Sequence, residues 1–137
     1  MVMPIPTQQS NQRTLEQKRA EAAWTCIKTI KKWTDDNEKK KFRSLARGSA
    51  SDIQINGLGQ TAAFWKAKGG KENCTLLSSL ASWLNSQLQL NLTNDNDLLA
   101  WIRHPDTTSD DYRRATSEAI AFLIWVKRFA EAELPKV

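Results

Sequence analysis

The chain has 137 residues, 40% hydrophobic and 26% charged, a size and balance that suit one domain with its own core and no need of a metal or disulfide staple. Its formal net charge is +5 with a single histidine, which leaves little material for acid–base chemistry and points towards polyanionic partners. Five glycines and four prolines, three of the prolines near the chain ends, leave the interior almost free of helix breakers and favour an all-α fold.

Residues 1–12 are polar and proline-containing and are expected to form a flexible tail, with the folded domain running over 13–137. From Arg13 to about Trp33, Leu15, Ala20, Ala23, Trp24, Ile27 and Ile30 recur at helical spacing. Lys18, Glu21, Thr25, Lys28 and Lys32 fall on the opposite side, giving an amphipathic helix with a mainly basic outer row. Thr34-Asp35-Asp36-Asn37 is a turn and cap cluster before a second helix over 38–47, which Gly48-Ser49 is expected to end. A short helix over 51–55 follows. Asn56-Gly57-Leu58-Gly59 then bends the chain ahead of a helix over 60–68 that Gly69-Gly70 terminates.

Leu76, Leu77, Leu80, Ala81, Leu84 and Leu88 form a strong stripe on a helix over 73–87. Asn94-Asp95-Asn96 is expected to cap a short helix holding Leu98, Leu99 and Ile102, which Pro105 stops. Thr107-Thr108-Ser109, with Asp110 and Asp111, opens a long helix reaching Glu133. Its stretch 119–126 is apolar all round and should run through the middle of the molecule. The expected fold is a compact, single-domain, all-α bundle of about six helices with a long buried C-terminal helix.

That apolar stretch is also the longest in the chain, eight residues against the roughly 20 that a membrane-spanning helix requires. The N-terminus Met1-Val2-Met3-Pro4-Ile5-Pro6 has neither a basic start nor a sustained apolar run, so no secretory leader is read and a cytoplasmic protein is expected. Cys26 and Cys74 lie far apart in apolar-periodic stretches and are expected to be buried free thiols of a reducing compartment.

The charge is unevenly spread. Between Arg13 and Arg47 there are eleven Lys/Arg against five Asp/Glu, while the rest of the chain carries nine against ten. A localised basic field of this kind attracts nucleic acid, although solvated helix faces produce the same composition. Its densest part is the row Lys39, Lys40, Lys41, Arg43 and Arg47. On a helix Lys40, Arg43 and Arg47 project from one side, with Phe42, Leu45 and Ala46 facing inward. Arginine offers a bidentate fork to phosphate and lysine a point charge, so such a row can follow a sugar–phosphate backbone without reading its sequence.

Enzymatic constellations are lacking. His104 precedes Pro105 at a helix end and serves there as a C-terminal cap more readily than as a base. Asp106, Asp110 and Asp111 with His104 suggest a divalent cation, but the last two aspartates stand where helix N-caps and first-turn acids belong. Gly57-Leu58-Gly59 lacks the preceding strand and third glycine of a dinucleotide loop. Neither catalytic residues, nor metal, nor cofactor are expected. Six tryptophans occupy helical segments, and Trp33 and Trp65, with lysine neighbours, are the two best placed to stack on bases.

Several stretches together resemble a known family. They are Arg13-Thr14-Leu15-Glu16-Gln17-Lys18-Arg19-Ala20, Phe42-Arg43-Ser44-Leu45-Ala46-Arg47, and Asn56-Gly57-Leu58-Gly59-Gln60 with Ala63-Phe64 and Lys66-Ala67-Lys68-Gly69. To these is added the run from Tyr112-Arg113-Arg114-Ala115-Thr116 to Trp125-Val126-Lys127-Arg128-Phe129-Ala130-Glu131-Ala132. In this order, over roughly 13–134, the chain resembles the small subunit of the Cmr (type III-B CRISPR–Cas) RNA-guided effector complex. The resemblance implies a non-catalytic helical bundle whose copies stack head to tail into an inner filament. That filament lies beside the backbone subunits and the large polymerase-like subunit, along the path of guide and target RNA.

With the basic surface, this gives an antiviral-defence subunit that contacts RNA through Lys18, Lys39, Lys40, Arg43, Arg47, Lys66 and Lys68. Arg113 and Arg114, with acids around them, suit ion pairs or subunit contacts. A pure protein–protein scaffold, a free-standing nucleic-acid-binding regulator and a metal-dependent nuclease using His104 are the competing readings. No membrane partner is expected.

Overall fold

Two glycines make three helices follow one another without loops. Gly57 (φ 88°, ψ 159°) closes α2, Asp36–Asn56, and opens α3, Leu58–Lys68. Gly69 (φ 66°, ψ −154°) does the same between α3 and α4, Gly70–Leu88. Both conformations belong to a region that side chains with a Cβ hardly enter, so a one-residue elbow needs glycine at each point. Before them comes α1, Gln8–Lys31, and after them α5, Leu98–Arg103, and α6, Ser109–Glu133. The structure is a computed structural model that describes residues 8–92 and 97–136, and the described residues contain helices and no strand. The all-α bundle of six helices matches the sequence expectation.

The ends of the helices follow their local chemistry. The Asp35 carboxylate accepts from the Asn37 N–H at 2.8 Å and caps α2. Thr108 and Asp111 form a reciprocal capping box at the start of α6. Asp97 caps α5 through the Ala100 N–H, and the helix ends before Pro105 with His104 extended, as the residue preceding a proline must be. The Asn94-Asp95-Asn96 cap lies outside the described residues, as do residues 1–7 of the expected tail. Helix α1 already begins at Gln8, five residues ahead of the expected start.

One expected break is missing. Helix α2 runs unbroken through Gly48, so the two helices expected over 38–47 and 51–55 are one. Phe42, Ala46, Ser49 and Ile53 recur at steps of four and three and are all buried. One continuous inward face outweighs the modest helix cost of a single glycine. The Ser49 hydroxyl bonds back to the Ala46 carbonyl at 2.9 Å, which removes its need for water.

Helix α6 packs mainly against α1 and α2. Arg19 meets Glu118 and Lys31 meets Glu133, so α1 and α6 run in the same direction. Arg47 meets Glu131 and Gly59 meets Tyr112, so α2 and the start of α3 meet α6 from the opposite direction. Ala119, Phe122, Leu123, Val126 and Ala130 bury one side of α6 against these neighbours, while Ile124 stays 44% exposed. The stretch expected to be enclosed on all sides is thus central but open along one strip.

A buried polar cluster ties three helices together. Arg19 grips both Glu118 oxygens, at 2.7 and 2.9 Å, and the Trp83 indole N–H donates to the same carboxylate at 3.1 Å. These hydrogen bonds hold the Arg19 guanidinium even further above the ordinary range. Trp83 also stacks on Phe122, their ring centroids 5.7 Å apart. Glu118 is 8% exposed, a carboxylate acceptable inside only because three N–H groups answer it.

The two cysteines differ. Cys26 is buried, and burial pushes its thiol pKa up. Cys74 is exposed, contrary to expectation. The buried side of α4 runs through Asn73, Leu76, Leu80 and Leu84, and Cys74 falls off that line. Among the described residues no helix is long and apolar enough to cross a membrane.

Candidate nucleic-acid interface

The basic residues of α2 do not share one face. Lys40 and Lys41 line a groove of about 840 Å³ between α2, α3 and α4, and Lys68 at the end of α3 stands on its other wall. Phe64, 61% exposed, lies on that wall with the Lys68 ammonium 5.8 Å from its ring centroid. Leu45 and Trp65 form part of the lining, and Asp52 and Glu72 also border it. The groove thus combines three ammonium groups, one open aromatic face and two acids.

The sequence positions Phe64 here by exclusion. Leu58, Ala62 and Trp65 are the inward residues of α3, and Phe64 falls outside their arc. An aromatic ring left open beside lysines is the equipment that single-stranded nucleic acid uses for stacking. Lys41 and Phe64 were absent from the expected contacts, and the spacing of Leu58, Ala62 and Trp65 was the clue that would have found Phe64.

The other expected contacts scatter. Lys39, Arg43 and Arg47 lie at four-residue steps along a different edge of α2. The Lys39 ammonium is 3.7 Å from Asp36, and the Arg47 Nε is 3.8 Å from Glu131 on α6. Arg43 is not an outward-pointing residue as expected: it is only 9% exposed. Lys18 is exposed on α1 beside a second groove, of about 710 Å³, whose opposite wall is α4 with Ser78, Ser79 and Ser82. Lys66 is exposed but does not line the α2–α3–α4 groove.

The tryptophans hold helices together. Trp65 is 1% exposed and belongs to the core, so it offers no stacking face. Trp33 is half-buried, edge-on to Phe42, with the Lys71 ammonium 4.6 Å above its ring. Lys71 also reaches Glu38 at 3.4 Å. Trp24 meets Phe129 edge to face, and the Trp125 indole N–H donates to Glu16 at 3.3 Å.

The His104 neighbourhood has a structural explanation. His104 is the C-cap residue of α5, and its Nδ1 accepts from the Asp106 N–H at 3.1 Å. Asp111 is engaged in the capping box of α6, and Asp110 lies 3.8 Å from Arg113. Among the described residues no group of three His, Cys, Asp or Glu side chains converges as metal ligands would.

The two most distinctive stretches of the sequence touch each other. The Gly59 N–H donates to the Tyr112 hydroxyl at 2.9 Å, and a Cβ on Gly59 would lie 3.4 Å from that oxygen. The Asn56-Gly57-Leu58-Gly59-Gln60 elbow and the Tyr112-Arg113-Arg114-Ala115-Thr116 turn are thus one structural joint.

Fold and surface together define a small all-helical protein whose positive charge is concentrated in its N-terminal third. Residues 15–133 match the family described as CRISPR-associated protein (Cas_Cmr5), and the chain belongs to that family. It is thus a subunit of the multisubunit Cmr complex of CRISPR defence, from a family of structural subunits and not known catalysts.

Proposed function

We propose that this chain is the non-catalytic small subunit that stacks with its own copies into the inner filament of a Cmr-type effector and contacts guide and target RNA through its basic surface. The groove formed by Lys40, Lys41 and Lys68 beside Phe64 carries the reading. Its ammonium groups suit a phosphate chain and its open ring suits a base, while sequence is read by RNA–RNA pairing and the protein follows only backbone and shape. The neighbours are the backbone subunits and the large polymerase-like subunit, working in the cytoplasm.

Replacing Lys40, Lys41 and Lys68 together by alanine removes up to three phosphate contacts. In assembled complexes the log–log salt slope of RNA binding should then flatten by about 2, at about 0.7 per single-strand phosphate. An unchanged slope, with complexes that fall apart, would instead identify the groove as a protein–protein surface.

A further inference from the structure

The groove of Lys40, Lys41 and Lys68 holds a residue that phosphate binding does not explain. Asp52 is half-buried on its wall, and the carboxylate meets no hydrogen-bond or ion-pair partner among the described residues. The Asp52 backbone carbonyl accepts from the Thr61 hydroxyl at 3.1 Å, which ties α2 to α3 at this level and leaves the carboxylate open. A fixed negative charge repels a sugar–phosphate chain, so its counterpart is a group that brings hydrogen-bond donors.

The groove continues past this residue. Asp52 and Phe64 also line a second cavity, of about 520 Å³, together with Asn56, Gln60 and Thr61. Asp52 and Asn56 stand four residues apart on α2, and Gln60 and Phe64 four apart on α3, so each pair projects from one side of its helix. The members of a pair are about 6 Å apart along the axis. The Gly57 elbow sets the two pairs on facing walls, with Thr61, 4% exposed, at the bottom. One wall offers a carboxylate and an amide, the other an open aromatic ring and an amide. A stacking surface with polar groups at its edge is how proteins hold an unpaired base.

The geometry points to a guanine pocket: an unpaired guanine of the bound strand stacks on Phe64, gives its N1–H and N2 amino group to the Asp52 carboxylate, and accepts at O6 from the Asn56 amide. Guanine alone among the four bases presents two adjacent donors to a carboxylate. Adenine and cytosine set one amino donor beside a ring acceptor, and uracil places its single N–H between two carbonyls. The Lys68 ammonium, 5.8 Å from the Phe64 ring centroid, is placed for a phosphate next to the stacked base. The inference rests on the RNA reading and adds one base of defined identity to a surface that otherwise follows the backbone.

The test uses the full-length chain and single-stranded oligouridines that differ only at one central position, carrying uridine, guanosine, inosine, adenosine or cytidine. Wild type should bind the guanosine strand about tenfold more tightly than the all-uridine strand, with adenosine and cytidine close to uridine. Inosine, which lacks the N2 amino group, should fall between. Asp52→Asn should bring the guanosine strand to within about twofold of the all-uridine strand, with the salt slope unchanged because no phosphate contact is lost. Asn56→Ala should lower the guanosine preference about threefold and leave all-uridine binding as in wild type. Guanosine monophosphate should bind about a hundredfold more weakly than the guanosine strand, having no neighbouring phosphates for the lysines.

Salt-dependent binding by wild type without a preference for guanosine would remove the pocket and leave the groove standing. No salt-dependent binding to any strand would sink both readings. A guanosine preference that survives Asp52→Asn at full strength would place the recognition elsewhere and overturn the proposal. If Asp52→Asn melts well below wild type, Asn56→Ala decides, and an unchanged preference there overturns it. Equal affinity for guanosine monophosphate and the guanosine strand would assign the cavity to a free nucleotide and overturn its assignment to RNA.

Discussion

Gly48 and Gly57 are the same residue type with opposite roles. At Gly48 the chain is helical and an added Cβ would meet only the Asp52 carboxylate, at 3.8 Å. Gly48→Ala should therefore stabilise the protein by about 0.5–1 kcal/mol, the usual helix-interior difference. Gly57 holds φ at 88°, and Gly57→Ala should destabilise by about 1–3 kcal/mol. Chemical denaturation of the two variants should give shifts of opposite sign; two shifts of like sign would contradict the assignment of α2 as one helix with its elbow at Gly57. The cysteines separate in the same way. At neutral pH a maleimide should label exposed Cys74 rapidly and leave Cys26 protected by burial and its raised thiol pKa, so mass spectrometry of the native protein should find one modification, on the peptide containing Cys74.

At the scale of elements, the Arg19–Glu118–Trp83 cluster fixes how α1, α4 and α6 meet. Glu118→Leu leaves the Trp83 indole N–H without its acceptor and the Arg19 guanidinium with only the exposed Glu16 carboxylate, and should cost about 2–4 kcal/mol, with a clear loss of melting temperature. A loss below about 1 kcal/mol would mean that apolar packing alone sets the arrangement. This cluster was not legible in the sequence, because nothing local distinguishes Glu118 from the other acids of α6. The helices were legible wherever periodic apolar residues ran between capping residues, as from Thr108 into α6. The break expected at Gly48 arose from giving a local punctuator more weight than the Phe42, Ala46, Ser49 and Ile53 line that crosses it. The two acceptable readings of a helical glycine differ by little energy, so tertiary packing decides between them.

For the whole molecule, the charge imbalance of the sequence identified the basic third of the chain but not its geometry. Composition does not tell which lysines face one another across a groove. Lys40 and Lys68 are 28 positions apart in sequence, and the Gly57 elbow is what turns α3 back to set them on facing walls. Arg43, adjacent in sequence to the groove residues, is nearly buried instead, because at about 100° per residue it falls more than 100° round the helix from the Lys41, Leu45, Gly48 and Asp52 line. The surface thus carries an open groove on one side of α2, the one proposed above for RNA, and the nearly buried Arg43 on the other.

The central claim is tested most directly by photo-crosslinking RNA within complexes purified from the native host through a tag on this chain, followed by identification of the RNA-linked peptides. The account predicts links on the peptides that carry Lys40, Lys41 and Lys68, with Phe64 a principal site for a photoreactive base. RNA linked only to other subunits, with every peptide of α2 and α3 unmodified, would contradict it.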